Sequence, residues 1–95
     1  MALLHMVWMA PKNGTLPEQM EAALDAIRGL AHLPGVTAID TGLNLTDRAA
    51  GATHGALITL RDRDALEPYL AHPDHQAVGQ LLRDISTVTV MDIEV

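Results

Sequence analysis

One short strand near the start of the chain constrains the fold more than any other stretch. From Leu3 to Met9 the apolar side chains occupy both alternating sets of strand positions, and only His5 interrupts them. Because successive side chains of a strand point to opposite faces, both faces of this strand need cover from water. The sheet that contains it must therefore be covered on both sides.

The first predicted helix runs from Thr15 to about Leu33. The sequence T-L-P-E at its start is typical of a capping box, in which Thr15 and Glu18 satisfy the first free amide groups, and Pro34-Gly35 ends the helix. The other elements follow from alternation, β-branched residues and turn residues. They are strands over Val36–Leu43, His54–Leu60 and Ser86–Val95, with a loop over Asn44–Ala52 and a helical region over Arg61–Asp84.

The helical region contains a break at His72-Pro73. A residue that precedes proline is pushed out of the α region, so Pro73 is predicted to restart the helix as its first residue. On one continuous helix Tyr69 and His75 would lie about 120° apart around the axis, because six residues advance by about 600°. The break lets the two side chains converge. His75 then shares an apolar stripe with Val78, Leu82 and Ile85.

The order βαββαβ predicts an α+β fold with a ferredoxin-like protomer, formed by residues 1–95 as a single domain. In that fold, both helices pack on one face of a four-stranded antiparallel sheet. The other face stays open, and each large apolar side chain left there forgoes roughly 1.5–3 kcal/mol of burial free energy. We therefore expect a homodimer that joins two sheets through the open faces. The side chains expected on that face include Leu4, Met6, Trp8 and Leu57.

Charge argues against two classes of partner. The chain has 6 Lys and Arg against 12 Asp and Glu, a formal net charge of −6, and its basic residues are not clustered. Because binding to phosphates depends on concentrated positive charge, neither nucleic acid nor an anionic membrane is expected as a partner. Ala2 to Ala10 is apolar, but it is too short to span a bilayer and lacks a basic leader region.

The absence of cysteine limits the chemistry that the chain can perform. With 0 cysteines there are no disulfides, no thiol nucleophile and no cysteine-based zinc site, which fits a cytoplasmic protein. The sequence also lacks the G-x-S-x-G and phosphate-cradling glycine motifs. The spacing of His72 and His75 occurs at metal sites, but no H-E-x-x-H motif accompanies it, and we expect neither a metal nor a cofactor.

Four stretches of the sequence are similar to those of one known family. They are L-L-H-M-V near the start, L-P-G-V at the end of the first helix, G-A-T-H-G-A-L in the third strand and Y-L-A-H-P-D-H-Q-A at the helix break. Together they resemble the stress-responsive dimeric α/β-barrel (Dabb) family over essentially the whole chain. The resemblance implies a ferredoxin-like protomer whose sheet pairs with that of its mate to form a barrel.

The family resemblance also implies roles for individual residues. One member, the plant olivetolic acid cyclase, closes the ring of a linear polyketide by an aldol reaction without a cofactor. Its tyrosine and histidine pair corresponds to Tyr69 and His75 here, and two further histidines near its pocket correspond to His5 and His54. The family also contains stress-associated proteins of unknown biochemistry.

The residues themselves leave two interpretations open. In one, His75 is a general base and Tyr69 orients it or donates to a developing enolate oxygen, in a pocket for a small apolar carbonyl or polyketide-like ligand. In the other, the histidines are hydrogen-bonded core groups of a non-catalytic structural or binding dimer. The candidate ligand contacts, on the helix-covered side of the sheet and at the helix break, are His5, Val7, His54 and His72.

Overall fold

The computed structural model describes residues 1–95 and has the predicted βαββαβ order. A single 3₁₀ turn over Arg63–Ala65 precedes the helix break. The ferredoxin-like α+β fold is thus confirmed. None of its helices has the length and apolar character needed to cross a membrane. The elements are β1 (Leu3–Pro11), α1 (Pro17–Arg28), β2 (Val36–Leu43), β3 (His54–Leu60), α2 (Leu66–Ala71), α3 (Pro73–Ile85) and β4 (Ser86–Glu94).

The sheet has the strand order β2-β3-β1-β4, and every neighbouring pair is antiparallel. β1 therefore lies inside the sheet, between β3 and β4. The register places His5 opposite Ile58 of β3 and opposite Asp92 of β4. Since residues directly opposite each other share a face, these three side chains lie on the same side of the sheet.

The hydrophobic core lies between the sheet and the helices. Alternate β1 residues are buried, and they meet the apolar stripe of α1, where Ala23 is fully enclosed. The small side chains of this stripe let the helix lie close to the sheet. The buried apolar residues on these elements include Leu3, Val7, Met9, Met20, Leu24, Ile27, Ile58 and Leu60.

The start of α1 differs from the predicted capping box. Leu16 is the N-cap residue, and its N–H donates to the Gln19 side chain at 2.8 Å. Thr15 instead donates its hydroxyl to the carbonyl of Ile85 at 2.7 Å, so a contact with the end of α3 replaces the local cap. The Thr15–Glu18 capping box was therefore a wrong prediction.

The end of α1 also differs from its prediction. The helix stops at Arg28 rather than near Leu33, and Gly29 begins a series of turns. Leu30 and Leu33 remain buried in those turns. Their apolar spacing continued the helical pattern in the sequence because the side chains stay in the core after the helix has ended.

The second face of the sheet carries apolar side chains without cover from this chain. On β1, Leu4 and Met6 are half-buried and Trp8 is 45% exposed, while Met91 of β4 is 58% exposed. We call this surface, formed by Leu4, Met6, Trp8, Leu57, Met91 and Ile93, the open face. An exposed apolar surface of this kind is typical of an interface.

Candidate functional site

The candidate site begins at the break between α2 and α3. His72 has φ −64° and ψ 134°, an extended conformation, and α3 restarts at Pro73. The His72 ring caps the new helix, because its Nδ1 accepts the N–H of Asp74 at 3.1 Å. The His72 side chain therefore stabilises the start of α3.

Three rings from different elements come together beside this break. The ring centroids of Tyr69 and His75 lie 4.7 Å apart, at an interplanar angle of 55°. The His5 ring on β1 lies 5.6 Å from the Tyr69 ring and 6.1 Å from the His75 ring. We call His5, Tyr69 and His75 the ring cluster.

The His5 ring is fixed by a carboxylate on the neighbouring strand. Its Nδ1 lies 2.5 Å from Oδ1 of Asp92, the residue opposite it in the sheet register. A carboxylate oxygen accepts, so Nδ1 carries a proton and donates it to Asp92. His5 is 4% exposed, and no other side chain bonds to its Nε2 within the chain.

His75 has a defined tautomer for a similar reason. Its Nδ1 lies 3.2 Å from the carbonyl oxygen of Leu70, which only accepts, so Nδ1 donates and Nε2 keeps a lone pair. Burial lowers the pKa of His75, the Leu70 hydrogen bond opposes this effect, and the nearby His5 and Arg83 lower the pKa further. The ring therefore favours its neutral form, in which Nε2 is a base.

Tyr69 is the most deeply buried member of the ring cluster. It is 2% exposed, and burial raises its pKa from 10.0 to about 12. Its hydroxyl has no hydrogen-bond partner within the chain, yet no polar side-chain atom of the chain is both fully enclosed and unpartnered. The hydroxyl oxygen, like Nε2 of His5, therefore keeps some contact with solvent. At neutral pH it is a phenol that can donate.

The structure separates His54 from the ring cluster. His54 pairs with Met9 and Leu43, four residues along β3 from the Ile58 position that faces His5. At about 3.3 Å per residue this is a distance of roughly 13 Å. The His54 Nδ1 lies 2.7 Å from the Thr53 hydroxyl. The prediction that all four polar side chains point into one space was wrong for His54.

His54 instead lines a cavity at the other end of β3. This cavity has a volume of about 430 Å³ and reaches the open face beside Met6 and Trp8. Val7, in contrast, is buried on the His5 side of β1, two residues from His5, and belongs to the hydrophobic core. No three histidine, aspartate or glutamate side chains of the chain are arranged to hold a metal ion.

Asp92 is a site residue that the sequence pattern did not single out. It stands in a β-branched and apolar strand, and nothing in that strand alone relates it to a residue 87 positions away. A predicted β1–β4 pairing with its register would have placed it opposite His5. The ring cluster and Asp92 together combine a neutral base, a protonated phenol and an imidazole–carboxylate pair. Such a set can move protons on a bound molecule.

Comparisons with known proteins agree with this fold over the whole chain. The sequence profile of the family described as Dabb, stress responsive A/B barrel domain, matches residues 3–95. Among curated proteins, none is significantly similar to the chain in sequence.

Three solved structures illustrate what the chain is similar to. A dimeric ferredoxin-like protein of unknown function from Jannaschia sp. CCS1 is 30% identical, with 100% of both chains covered and a TM-score of 0.87. Hydroxynitrile lyase from Passiflora edulis is 17% identical, with 99% of this chain and 93% of that chain covered and a TM-score of 0.89. SnoaB, a cofactor-independent oxygenase from Streptomyces nogalater, is 19% identical, with 99% and 92% covered and a TM-score of 0.77. With its profile matched from residue 3 to residue 95, the chain belongs to the Dabb family.

Proposed function

We propose that this protein is a homodimer that binds a small apolar carbonyl compound between sheet and helices and catalyses proton transfer on it without a cofactor. The observation that carries the proposal is the ring cluster, in which a neutral imidazole, a phenol and a second imidazole lie within 6.1 Å of one another. Each ring keeps one polar atom that forms no hydrogen bond with another group of the chain. Few polar groups converging among apolar side chains are typical of a small-molecule site.

His75 is the base in the proposed reaction. Its Nε2 takes a proton from the carbon beside the carbonyl group, so a C–H bond breaks, an N–H bond forms and the electron pair moves to the carbonyl oxygen. The lowered pKa of His75 keeps this nitrogen free at neutral pH. General base catalysis of this kind contributes roughly 10²–10⁴-fold in rate.

Tyr69 stabilises the oxygen that becomes negative in that step. Its raised pKa, about 12, keeps the proton on the phenol, which donates a hydrogen bond to the enolate oxygen. The apolar surroundings strengthen this bond. With a linear polyketide-like substrate, the enolate then attacks a second carbonyl carbon in an aldol-type ring closure.

Two structural relatives support catalysis on this fold. One is a hydroxynitrile lyase and the other a cofactor-independent oxygenase, and both share the fold at TM-scores of 0.89 and 0.77. The family description also supports a role under stress. A chain with 0 cysteines suits the reducing cytoplasm, where we place the protein.

The open face supports the homodimer. The Jannaschia relative, 30% identical, is dimeric. Two copies joined through Trp8, Met91 and their neighbours would bury the apolar side chains that one chain leaves in water. The dimer would also enclose the cavity beside His54.

The test measures proton transfer with two defined probes. Wild-type protein is incubated in D₂O with methyl pentyl ketone, and deuterium incorporation is followed by NMR; cleavage of mandelonitrile is followed by benzaldehyde absorbance. We expect His75→Gln to reduce the faster of these reactions by at least about 100-fold and Tyr69→Phe by about tenfold or more. His54→Gln is the matched control and should keep the wild-type rate.

The second candidate is a binding or structural dimer without chemistry. The depth at which His5 and Tyr69 are buried favours it, because such groups also stabilise a core. In that case His75→Gln would lower the melting temperature while neither probe reacted with any variant. Wild-type rates equal to those of His75→Gln would contradict the catalytic proposal.

A further inference from the structure

The cavity beside His54 lies on the other side of the sheet from the ring cluster. It has a volume of about 430 Å³, and residues of β1, β2 and β3 form its floor. The loop between β2 and β3 covers one end of it with Ala49 and Ala52. Small-molecule pockets have volumes of roughly 300–1,000 Å³, so this cavity is large enough for a ligand. We call it the open-face cavity.

Two glycines leave the floor of the open-face cavity empty. Gly42 and Gly55 are directly opposite each other in the β2–β3 register, and Gly55 is also opposite Trp8 of β1. Neither glycine has the positive φ that other residues avoid. A Cβ atom at Gly42 would meet no atom within 4 Å, and one at Gly55 would lie 3.5 Å from the Val7 carbonyl oxygen, an ordinary contact.

The packing of this chain therefore does not require glycine at either position. Glycine weakens the interior of a strand, and it often marks a place where a ligand or another backbone approaches closely. The paired glycines leave space beside the indole of Trp8, which is 45% exposed on the same face. An occupant in contact with the indole can lie directly on the backbone of the two strands.

The open-face cavity has apolar walls and one carboxylate. Met6, Trp8 and Leu57 form the apolar part, and Asp40 of β2 lies opposite Leu57 in the register, on the same face. The Asp40 carboxylate forms no ion pair within the chain. The lining contains neither lysine nor arginine, so no permanently positive side chain of the cavity compensates this charge. The net charge of −6 also favours the approach of a cation.

The loop over the cavity is held in place by Asn44. The side-chain amide donates to the carbonyl oxygens of Thr46 at 2.6 Å and Ala52 at 2.8 Å, and its Oδ1 accepts the N–H of Thr46 at 3.2 Å. Both amide hydrogens of Asn44 are therefore used within the loop. The cavity is formed before a ligand arrives, as is usual for small-molecule sites.

The register gives the size of molecule that would connect the carboxylate with the indole. Asp40 and Trp8 lie two strands apart and are offset by two residues along the sheet. With strands about 4.8 Å apart and about 3.3 Å per residue, their backbones are separated by roughly 12 Å. One small molecule that lies across the two glycines covers this distance.

We propose that the open-face cavity is a second binding site, for a small primary ammonium ion with an apolar body. Asp40 accepts charge-assisted hydrogen bonds from the ammonium group, and the apolar body leaves water as it lies on the glycines against Trp8. The inference is independent of the proposed catalysis, because the ring cluster lies on the other side of the sheet. In the homodimer, the second copy would close the cavity over the bound molecule.

The first arm of the test uses the fluorescence of Trp8, the only tryptophan. Wild-type protein is titrated at neutral pH and constant ionic strength with hexylammonium chloride, 1-hexanol and sodium hexanoate, which share one chain and differ in charge. We expect a saturable change with hexylammonium, an affinity for hexanol lower by about tenfold or more, and no binding of hexanoate. No saturable change with hexylammonium, or an equal affinity for hexanol, would overturn the proposal.

The second arm removes the carboxylate. Asp40→Asn should weaken hexylammonium binding by about tenfold or more and leave hexanol binding unchanged. Asp47→Asn is the matched control, because it removes the same charge from an exposed position that does not line the cavity. An equal loss in both variants would show that hexylammonium responds only to the net charge, and would contradict a site at Asp40.

The third arm fills the cavity. Gly42→Val should abolish the binding of hexylammonium and hexanol and keep the wild-type melting temperature, since its side chain meets free space. Gly42→Ala, the milder variant, should weaken binding and serves if Gly42→Val does not fold. Sedimentation velocity identifies the alternative occupant, a second copy of the chain. A wild-type dimer that binds no probe and dissociates on Gly42→Val would show that the partner fills the cavity, and would refute the ligand site.

Discussion

At the scale of single residues, the site depends on polar atoms that the protein leaves without partners in otherwise apolar surroundings. Tyr69 is 2% exposed and His5 is 4% exposed, yet the hydroxyl of one and Nε2 of the other bond no group of the chain. Because neither atom is fully enclosed, each can bond water or a bound molecule. A ligand with a carbonyl oxygen would accept a hydrogen bond from the Tyr69 hydroxyl.

The ionisation of Tyr69 gives the most direct prediction at this scale. The pKa is about 12 in the folded protein against an ordinary value of 10.0, so the phenol should ionise at a higher pH in folded than in urea-unfolded protein. The protonated form is favoured by folding. The stabilisation it provides is therefore fully present below the unfolded pKa and is lost as the pH rises through the folded pKa.

Phenolate absorbance measures this ionisation without ambiguity, because Tyr69 is the only tyrosine. Tyr69→Phe should lack both the absorbance change and the associated part of the alkaline loss of stability. Identical titration curves for folded and unfolded protein would show that the phenol is not desolvated as described.

At the scale of elements, the junction of α2 and α3 holds the site in place. Tyr69 lies before the break and His75 after it, and their rings approach to 4.7 Å only because His72 is extended. A continuous helix would separate these side chains by about 120°. The geometry of the site therefore depends on one residue pair, His72-Pro73.

We predict that His72→Ala destabilises the protein by about 1 kcal/mol, because α3 loses the side chain that accepts the Asp74 N–H. His72→Asn, which keeps a capping acceptor, should restore most of that free energy of unfolding. Urea denaturation of both variants and of wild type measures the difference. Equal stability of His72→Ala and wild type would show that the cap contributes nothing.

Local signals explain which elements were predictable from the sequence. Proline restricts its neighbours whatever the fold, so the break at His72-Pro73 was readable, and alternation identified which β1 side chains face the helices. Thr15 was different, because its hydroxyl bonds Ile85, a residue 70 positions away, in preference to the local cap. A local pattern contains no information about such a partner.

Local patterns in the sequence also predicted only part of the candidate site. Alternation gives the face of the sheet on which a residue lies, but only the register of the paired strands gives its position along the strand. Alternation alone placed His54 on the same face as His5 and hence near the ring cluster. The β1–β3 register shows that His54 lies four residues farther along β3 than the residue opposite His5. Asp92 escaped notice because only the β1–β4 register brings it to His5.

At the scale of the whole molecule, the sheet divides two surfaces with different roles. One side holds the core and the ring cluster, and the other is the open face, where Trp8 is 45% and Met91 58% exposed. We expect the open face to be the homodimer interface, which leaves the ring cluster on the far side of the sheet.

We predict that Trp8→Asp converts the dimer to a monomer, because a charge would have to be desolvated among apolar side chains in the interface. Sedimentation velocity distinguishes the two states. Leu45→Asp is the control, since Leu45 is also apolar but is 93% exposed in the loop that follows β2. A wild-type monomer, or a Trp8→Asp dimer, would contradict the interface.

The central claim is that His5, Tyr69 and His75 border one space that a small carbonyl compound enters. Its most direct measurement is the titration of ¹⁵N-labelled protein with methyl pentyl ketone, followed at the histidine ring signals. We expect the signals of His5 and His75 to shift together and saturate at the same ketone concentration, while those of His32 and His54 stay in place. Shifts confined to His54, or no shift of His5 and His75 at any concentration, would contradict the claim.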